Sequence, residues 1–212
     1  MITEAINTHR YANNHTKNLE QIHEKEINIA VYDRKIDFLT QEIITLLDHN
    51  IELRASGDTE EIFSIISNEL LHFNCFFLLT DIEQLLLQFS EISNAKSFRL
   101  LLATINTDMC RKFHTDINDL RLLCTYSGPG TLWLTEDNIN HKALVSNLDN
   151  DSIVLDESRV QQAKTGSVII LKGALYPKEG TSPIVHRSPT IEETGQKRLL
   201  LRIDTNEFLN FG

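Results

Sequence analysis

Ser97-Phe-Arg-Leu-Leu-Leu-Ala-Thr-Ile-Asn106 divides the chain into two textures. It reads as a strand, a short apolar run with polar residues at both ends. Before it, helical spacing dominates. Ile36, Leu39, Ile43, Leu46 and Leu47 fall at three- and four-residue steps, one face of a helix. Ser56-Gly-Asp-Thr59 breaks that pattern, and Asp58 or Thr59 can cap a second helix with Glu60 and Glu61 in its first turn. That helix carries Ile62, Phe63, Ile65, Ile66 and Leu70. A third starts near Thr80 or Asp81 and buries Ile82, Leu85, Leu86 and Phe89. Only the short apolar run Ile27 to Tyr32 reads as a strand in this half. After the division the chain is a series of short β segments: Leu120 to Tyr126, Ser152 to Leu155, Ser167 to Leu171, Pro183 to Arg187 and Arg198 to Asp204, separated by Gly, Pro, Asn and Asp. Helices first and strands afterwards give an α+β fold, with the strands in a sandwich or double-sheet barrel. Residues 1–20, rich in Asn, Thr and His, read as a peripheral arm. Residues 21–212 read as one domain, a helical layer over about 33–95 followed by strands over about 96–206.

Composition narrows the function. The 212 residues are 41% hydrophobic and 24% charged, in the range of a globular protein able to bury a sizeable core. Thirty acidic residues against 20 Lys and Arg give a net charge of -10, which argues against binding nucleic acid through its phosphate backbone. No apolar run approaches the roughly 20 residues of a membrane span, and Met1 to Glu20 lacks the apolar stretch of a signal peptide. Three cysteines do not make a disulfide scaffold. The expected compartment is the cytoplasm, with neither nucleic acid nor membrane as partner.

The strongest local motif is Cys110-Arg-Lys-Phe-His-Thr-Asp116. In an extended segment Cys110, His114 and Asp116 share a face. A nitrogen and a carboxylate two residues apart can chelate one divalent metal, and His186 in Pro183-Ile-Val-His-Arg-Ser-Pro189 is the natural third ligand. Two histidines and a carboxylate on one face leave open positions, an arrangement that suits Fe(II). On the last strand Arg198 and Arg202 share one face, with Leu199, Leu201 and Ile203 on the other. An inward arginine holds a carboxylate through two parallel hydrogen bonds; an ion pair with Asp204 or Glu207 is an equal use of the pair. In Tyr126-Ser-Gly-Pro-Gly-Thr-Leu-Trp133, the glycines permit a tight turn, and Tyr126 and Trp133 line a pocket or flank a hairpin. Lys172, at a strand end, faces the site or solvent. A second metal reading joins Cys110, His114 and Cys124 with an acidic residue around Zn(II), although the spacing is not that of a zinc finger. There is no Gly-x-Ser-x-Gly turn and no phosphate-binding Gly-x-x-x-x-Gly-Lys loop.

The runs Met109 to Asp116, Arg121 to Trp133, Leu171-Lys-Gly173, His186-Arg-Ser-Pro189 and Arg198 to Asp204 resemble the bacterial family called domain of unknown function 1826. That resemblance implies no established activity; its members' frequent neighbours, zinc-handling GTPase metallochaperones, imply a link to metal supply. More broadly the pattern resembles Fe(II)- and 2-oxoglutarate-dependent dioxygenases. This likeness implies a double-stranded β-helix (jelly roll) under the N-terminal helices, with His114, Asp116 and His186 as metal ligands. It implies Arg198 or Arg202 as the anchor of the 2-oxoglutarate carboxylate, at offsets of 12 and 16 from His186, and Tyr126 as a second donor to it. Cys110 and Cys124 depart from that pattern, and a thiol beside Fe(II) and O2 is open to oxidation. The expected function is an oxygenase acting on a small molecule or a protein side chain. The alternative is a non-enzymatic Zn(II)-binding protein of metal homeostasis that works with a metallochaperone GTPase.

Overall fold

The computed structural model describes residues 18–205. Most of the arm expected at residues 1–20 lies outside the described residues; within its last three, Leu19 is fully buried.

The first half alternates helices with two strands. β1 (Ile29–Tyr32) precedes α1 (Thr40–His49), β2 (Glu52–Gly57), α2 (Thr59–His72) and α3 (Phe76–Ser93). Asp58 caps α2 in a reciprocal box: its carboxylate accepts from the Glu61 N–H at 2.9 Å, and the Glu61 carboxylate accepts from the Asp58 N–H at 3.0 Å. α3 begins four residues earlier than Thr80, the expected start, because its cap is not local. The Glu42 carboxylate of α1 accepts from the N–H groups of Phe77 (3.1 Å) and Leu78 (2.6 Å). β2 was not expected from its sequence; it is the edge strand of the sheet and only Ala55 within it is buried.

The second half contributes β3 (Phe98–Ile105), β4 (Leu120–Ser127), β5 (Leu132–Trp133), α4 (His141–Val145), α5 (Asn150–Ile153), β6 (Gln161–Gln162), β7 (Val168–Lys172), β8 (His186–Arg187) and β9 (Arg198–Thr205). The strand expected at Ser152 to Leu155 is instead the end of α5, whose cap Asp149 accepts from the Ser152 N–H at 2.9 Å, followed by a single bridge from Val154 to Ile139.

Two antiparallel sheets result, in a jelly-roll-like arrangement. The larger has six strands in the order β1-β7-β4-β9-β3-β2, the smaller three in the order β6-β5-β8. Side chains of the central strands alternate between two apolar clusters, as the period of two demands. Leu100, Leu102, Leu122, Cys124, Tyr126, Val168, Ile170, Leu199, Leu201 and Ile203 share one cluster with Ile43 and Leu46 of α1, Ile62 and Ile66 of α2, and Ile82 and Phe89 of α3. Leu101, Ala103, Leu123, Ile169, Leu171 and Leu200 share the other with Ala163, Ile184 and Trp133. The charged residues of β4 and β9 follow this second face, which looks between the sheets.

Candidate metal centre

His114 and His186 are directly opposite each other in an antiparallel bridge at the first residue of β8. Each backbone N–H donates to the other's carbonyl at 3.0 Å. The chain before His114 is pinned by Asn150, the first residue of α5. Its side chain accepts from the Phe113 N–H at 2.9 Å and donates to the Arg111 carbonyl at 2.8 Å. Phe113 and Val185 turn outward into an apolar cluster with Leu134, Ile139 and Ile153. Their neighbours His114 and His186 turn to the opposite face, ring centroids 4.7 Å apart.

Both imidazoles are oriented in the same way. Nδ1 of His114 lies 2.8 Å from the Lys112 carbonyl and Nδ1 of His186 lies 3.4 Å from the Ile184 carbonyl. A carbonyl only accepts, so Nδ1 carries the proton and Nε2 is left for the site. The two Nε2 atoms converge on Asp116, at 3.5 Å from Oδ1 for His114 and 3.2 Å from Oδ2 for His186. One ligand atom from each of the three residues lies within 4.8 Å of the others, so the set can hold a divalent ion. Two neutral imidazoles of this tautomer would point lone pairs at a carboxylate. A cation or a proton between them removes that repulsion. The donor set, two nitrogens and one oxygen with no thiolate, fits a metal of intermediate hardness.

Arg121 holds Asp116 in place. Its Nη1 pairs with Asp116 Oδ2, and its Nε donates to Asp204 Oδ1 at 2.5 Å. Burial opposes the Asp116 charge, but the hydrogen bonds that His114 and His186 donate once Nε2 is protonated, with the charges of His186 and Arg121, outweigh it and keep this carboxyl well below the usual carboxylate range. The hydrogen bond to Asp116 raises the His114 pKa above 6.5, against the desolvation that lowers it. Neither Arg121 nor Asp204 was singled out as a site residue from the sequence. The available signal was Arg121 itself, a charged residue near the start of the otherwise apolar strand Leu120–Ser127.

The cavity beside the triad is about 50 Å3, room for an ion and a water molecule. Met109, Cys110, Arg121, Leu123, Thr131, Ser188, Leu200 and Arg202 line it with the two histidines. Arg202 is thus at the site, its Nε 3.2 Å from Asp204 Oδ2 yet without a hydrogen bond. Arg198 lies on the same face of β9 and is 1% exposed. Its Nη2 donates to Thr125 Oγ1 at 3.1 Å, its Nε has no partner, and no carboxylate pairs with it among the described residues. Burial alone draws its pKa down to about 10.

Three expectations are corrected. Tyr126 and Cys124 lie on the other face of β4, toward the helices. The Tyr126 hydroxyl donates to Asp81 Oδ2 at 2.6 Å, so it is not a donor to the site. Cys124 Sγ is 3.4 Å from Arg34 Nη2, and burial pushes its thiol up to about 11, so it is neither near the triad nor a thiolate. Lys172 also faces away: its Nζ donates to the Glu24 carbonyl at 2.8 Å and sits 4.6 Å from the Tyr176 ring centroid. Cys110 stays at the cavity mouth, exposed and outside the three-ligand cluster. Trp133 packs against the inter-sheet cluster. No helix among the described residues is long and apolar enough to cross a membrane.

The fold is that of known dioxygenases. The structure is similar to dioxygenase for auxin oxidation 1 from Arabidopsis thaliana, solved as its 2-oxoglutarate binary complex, with a TM-score of 0.52 at 8% identity, covering 90% of this chain and 86% of that one. It is equally similar to TqaL, an Fe(II)/α-ketoglutarate-dependent dioxygenase, with a TM-score of 0.52 at 13% identity over 92% of this chain and 87% of that one. No curated protein matches the chain in sequence. Residues 13–204 match the family described as Protein of unknown function (DUF1826), and the chain belongs to that family.

Proposed function

We propose that the protein is a non-haem Fe(II)- and 2-oxoglutarate-dependent oxygenase acting on a small molecule or a protein side chain. The observation that carries this reading is Arg198, a buried guanidinium with an unsatisfied Nε and no carboxylate partner, on the strand face that also serves the His114, Asp116 and His186 cluster. A buried charge normally has its counterion within the protein. Here the counterion is the distal carboxylate of the cosubstrate.

In this reading His114, Asp116 and His186 would hold Fe(II) through two imidazole nitrogens and a carboxylate oxygen. When bound, Fe(II) and 2-oxoglutarate supply oxidation of a C–H bond coupled to decarboxylation of the cosubstrate. The chain's own residues supply geometry. Arg198 receives the distal carboxylate, with its Nη2 held by Thr125. Arg121 and Asp204 fix the rotamer and charge of Asp116. Leu123 and Leu200 exclude water from the metal side. A five-carbon diacid exceeds the present 50 Å3, so its entry displaces the rim formed by Met109, Cys110 and Ser188. The N-terminal helices are the backing layer that keeps the large sheet rigid behind the site. The zinc-homeostasis alternative with a GTPase partner uses the same three ligands and loses only Cys124 as an added one, since that thiol packs toward the helices.

The test is an anaerobic titration of metal-free protein with Fe(II) and then 2-oxoglutarate, read by the weak visible charge-transfer band of the chelate. The expected band is absent in His114→Ala and needs at least tenfold more 2-oxoglutarate in Arg198→Met. No band in the wild type, with Zn(II) bound tightly, would overturn the reading.

A further inference from the structure

Beyond Arg202, away from the triad, a second cavity of about 370 Å3 opens at the β2 edge of the large sheet, lined from the inter-sheet face by Arg54, Ser56, Arg99, Leu101 and Arg202 and from the helix side by Ile65 of α2. Its arginines are set by strand register. Arg54, Leu101 and Arg202 form one cross-strand row over β2, β3 and β9, which continues to Leu123 of β4. Ser56, Arg99 and Asp204 form the next row, which continues to Arg121. Arg121 is the residue that grips Asp116. The two rows therefore run from the sheet edge to the metal centre, and Arg202 lines both cavities.

Like charges on adjacent positions of one face repel, and around this groove two carboxylates, Glu52 and Asp204, stand against Arg54, Arg99, Arg202 and, one strand on, Arg121. Arg99 is exposed and has no hydrogen bond or ion pair among the described residues. Arg54 uses its Nε on Glu52 at 2.8 Å and keeps its remaining donors. Arg202 Nε is 3.2 Å from Asp204 Oδ2 without making a hydrogen bond, and it shares that carboxylate with Arg121 and, at 3.3 Å, Asn118, which bond its other oxygen. In a chain of net charge -10, three guanidinium groups around one groove are a local reversal of sign. Guanidinium forks match planar and tetrahedral oxyanions, while Leu101 and Ile65 add an apolar wall.

We propose that this groove binds the primary substrate, a small molecule with an apolar part and an oxyanion group, carboxylate or phosphate, held by Arg54, Arg99 and Arg202. The proposal rests on the oxygenase reading for its use of the word substrate, but binding can be measured without turnover. The oxyanion anchors one end of the molecule in the groove, and Arg202 marks the direction in which the other end reaches the metal centre.

The experiment titrates full-length protein with phenyl phosphate, phenylacetate and the uncharged phenylacetamide, followed by calorimetry. One or both anions are expected to bind, with phenylacetamide at least tenfold weaker and affinity falling with added NaCl. Arg99→Gln, at an exposed site that tolerates change, is expected to weaken the anion at least tenfold, and Arg159→Gln, on a remote exposed ion pair, to leave it unchanged. His114→Ala is expected to retain anion binding. A preference for phenyl phosphate over phenylacetate, or the reverse, supports the groove and names its oxyanion. Equal binding of phenylacetamide, no anion binding, or no effect of Arg99→Gln would overturn it, whatever the Fe(II) titration gives. Anion binding that is sensitive to Arg99 in a protein with no Fe(II)/2-oxoglutarate band would retain the groove and remove the oxygenase reading.

Discussion

Arg34 and Arg198 lie against opposite faces of the same large sheet, and their surroundings differ. Arg34 is paired with both oxygens of Asp81, at 2.8 Å for Nη2, and its Nε donates to the Gly166 carbonyl at 3.0 Å. Tyr126 completes the Asp81 shell. Every strong donor there has an acceptor. Arg198 is more deeply buried, has one hydroxyl partner, and has neither a carboxylate nor an acceptor for Nε. The first arrangement is how a fold accommodates a charge for its own sake. The second is incomplete without something from outside.

The largest effect is expected where the complete network is broken. Arg34→Met leaves Asp81 and the Tyr126 hydroxyl in an apolar layer without the cation, and should cost about 3–5 kcal/mol in urea unfolding. A loss below about 1 kcal/mol would remove the contrast between the two faces. Metal comes next. Fe(II) at a hundred times its Kd should stabilise the chain by about 2.7 kcal/mol, read as a rise in Tm that His114→Ala abolishes. This stabilisation should weaken on acidification, because a proton on Nε2 competes with the ion. Since the His114 pKa is raised above 6.5, the weakening begins at higher pH than for a free imidazole. In the metal-free chain the sign reverses. The raised His114 pKa adds stability that is fully present below 6.5 and lost as pH rises through the folded value. The lowered Asp116 pKa adds stability present above 3.8 and lost as pH falls through its own folded value. The pair therefore favours metal-free protein most between 3.8 and 6.5, and urea midpoints across that window measure it.

Tyr126→Phe should cost about 2 kcal/mol, the worth of a buried hydrogen bond to a carboxylate, and should leave 2-oxoglutarate affinity unchanged because the hydroxyl faces the helices. Arg198→Met should have the smallest effect on stability, within about 1 kcal/mol and of either sign, since it removes a buried charge that lacks a partner. If calorimetry shows it as costly as Arg34→Met, the two arginines are the same kind of structural ion and the comparison fails.

Much of this was legible in the sequence, but unevenly. The alternation Arg198-Leu-Leu-Leu-Arg202 places both arginines on one face, and the structure agrees. The two-residue step from His114 to Asp116 and the distal His186 bring three ligands to one place, as the structure does. What failed was non-local. Leu120–Ser127 is buried on both faces, so its hydrophobicity gives no inside or outside. Only its register, with Arg121 opposite Asp204, separates Leu123 and Thr125 from Cys124 and Tyr126. The early start of α3 depends on Glu42 in another helix. β2 is an edge strand whose polar residues hide it from a hydrophobic pattern, and those same residues, Arg54 and Ser56, are the far wall of the arginine groove.

The bridge between His114 and His186 has a mechanical consequence. Two backbone hydrogen bonds fasten residue 114 to residue 186, and the span between them contains all of the small sheet up to β8 together with α4 and α5. An ion shared by the two rings would act as a buckle on that span, making it a closed loop in the folded chain that opens less readily. Stripped of the ion, the buckle itself is held by those two bonds, while β4 and β7 stay paired in the large sheet. Proteases should then cut first within residues 106–119, so that the digestion pattern of the chain reports whether its centre is loaded.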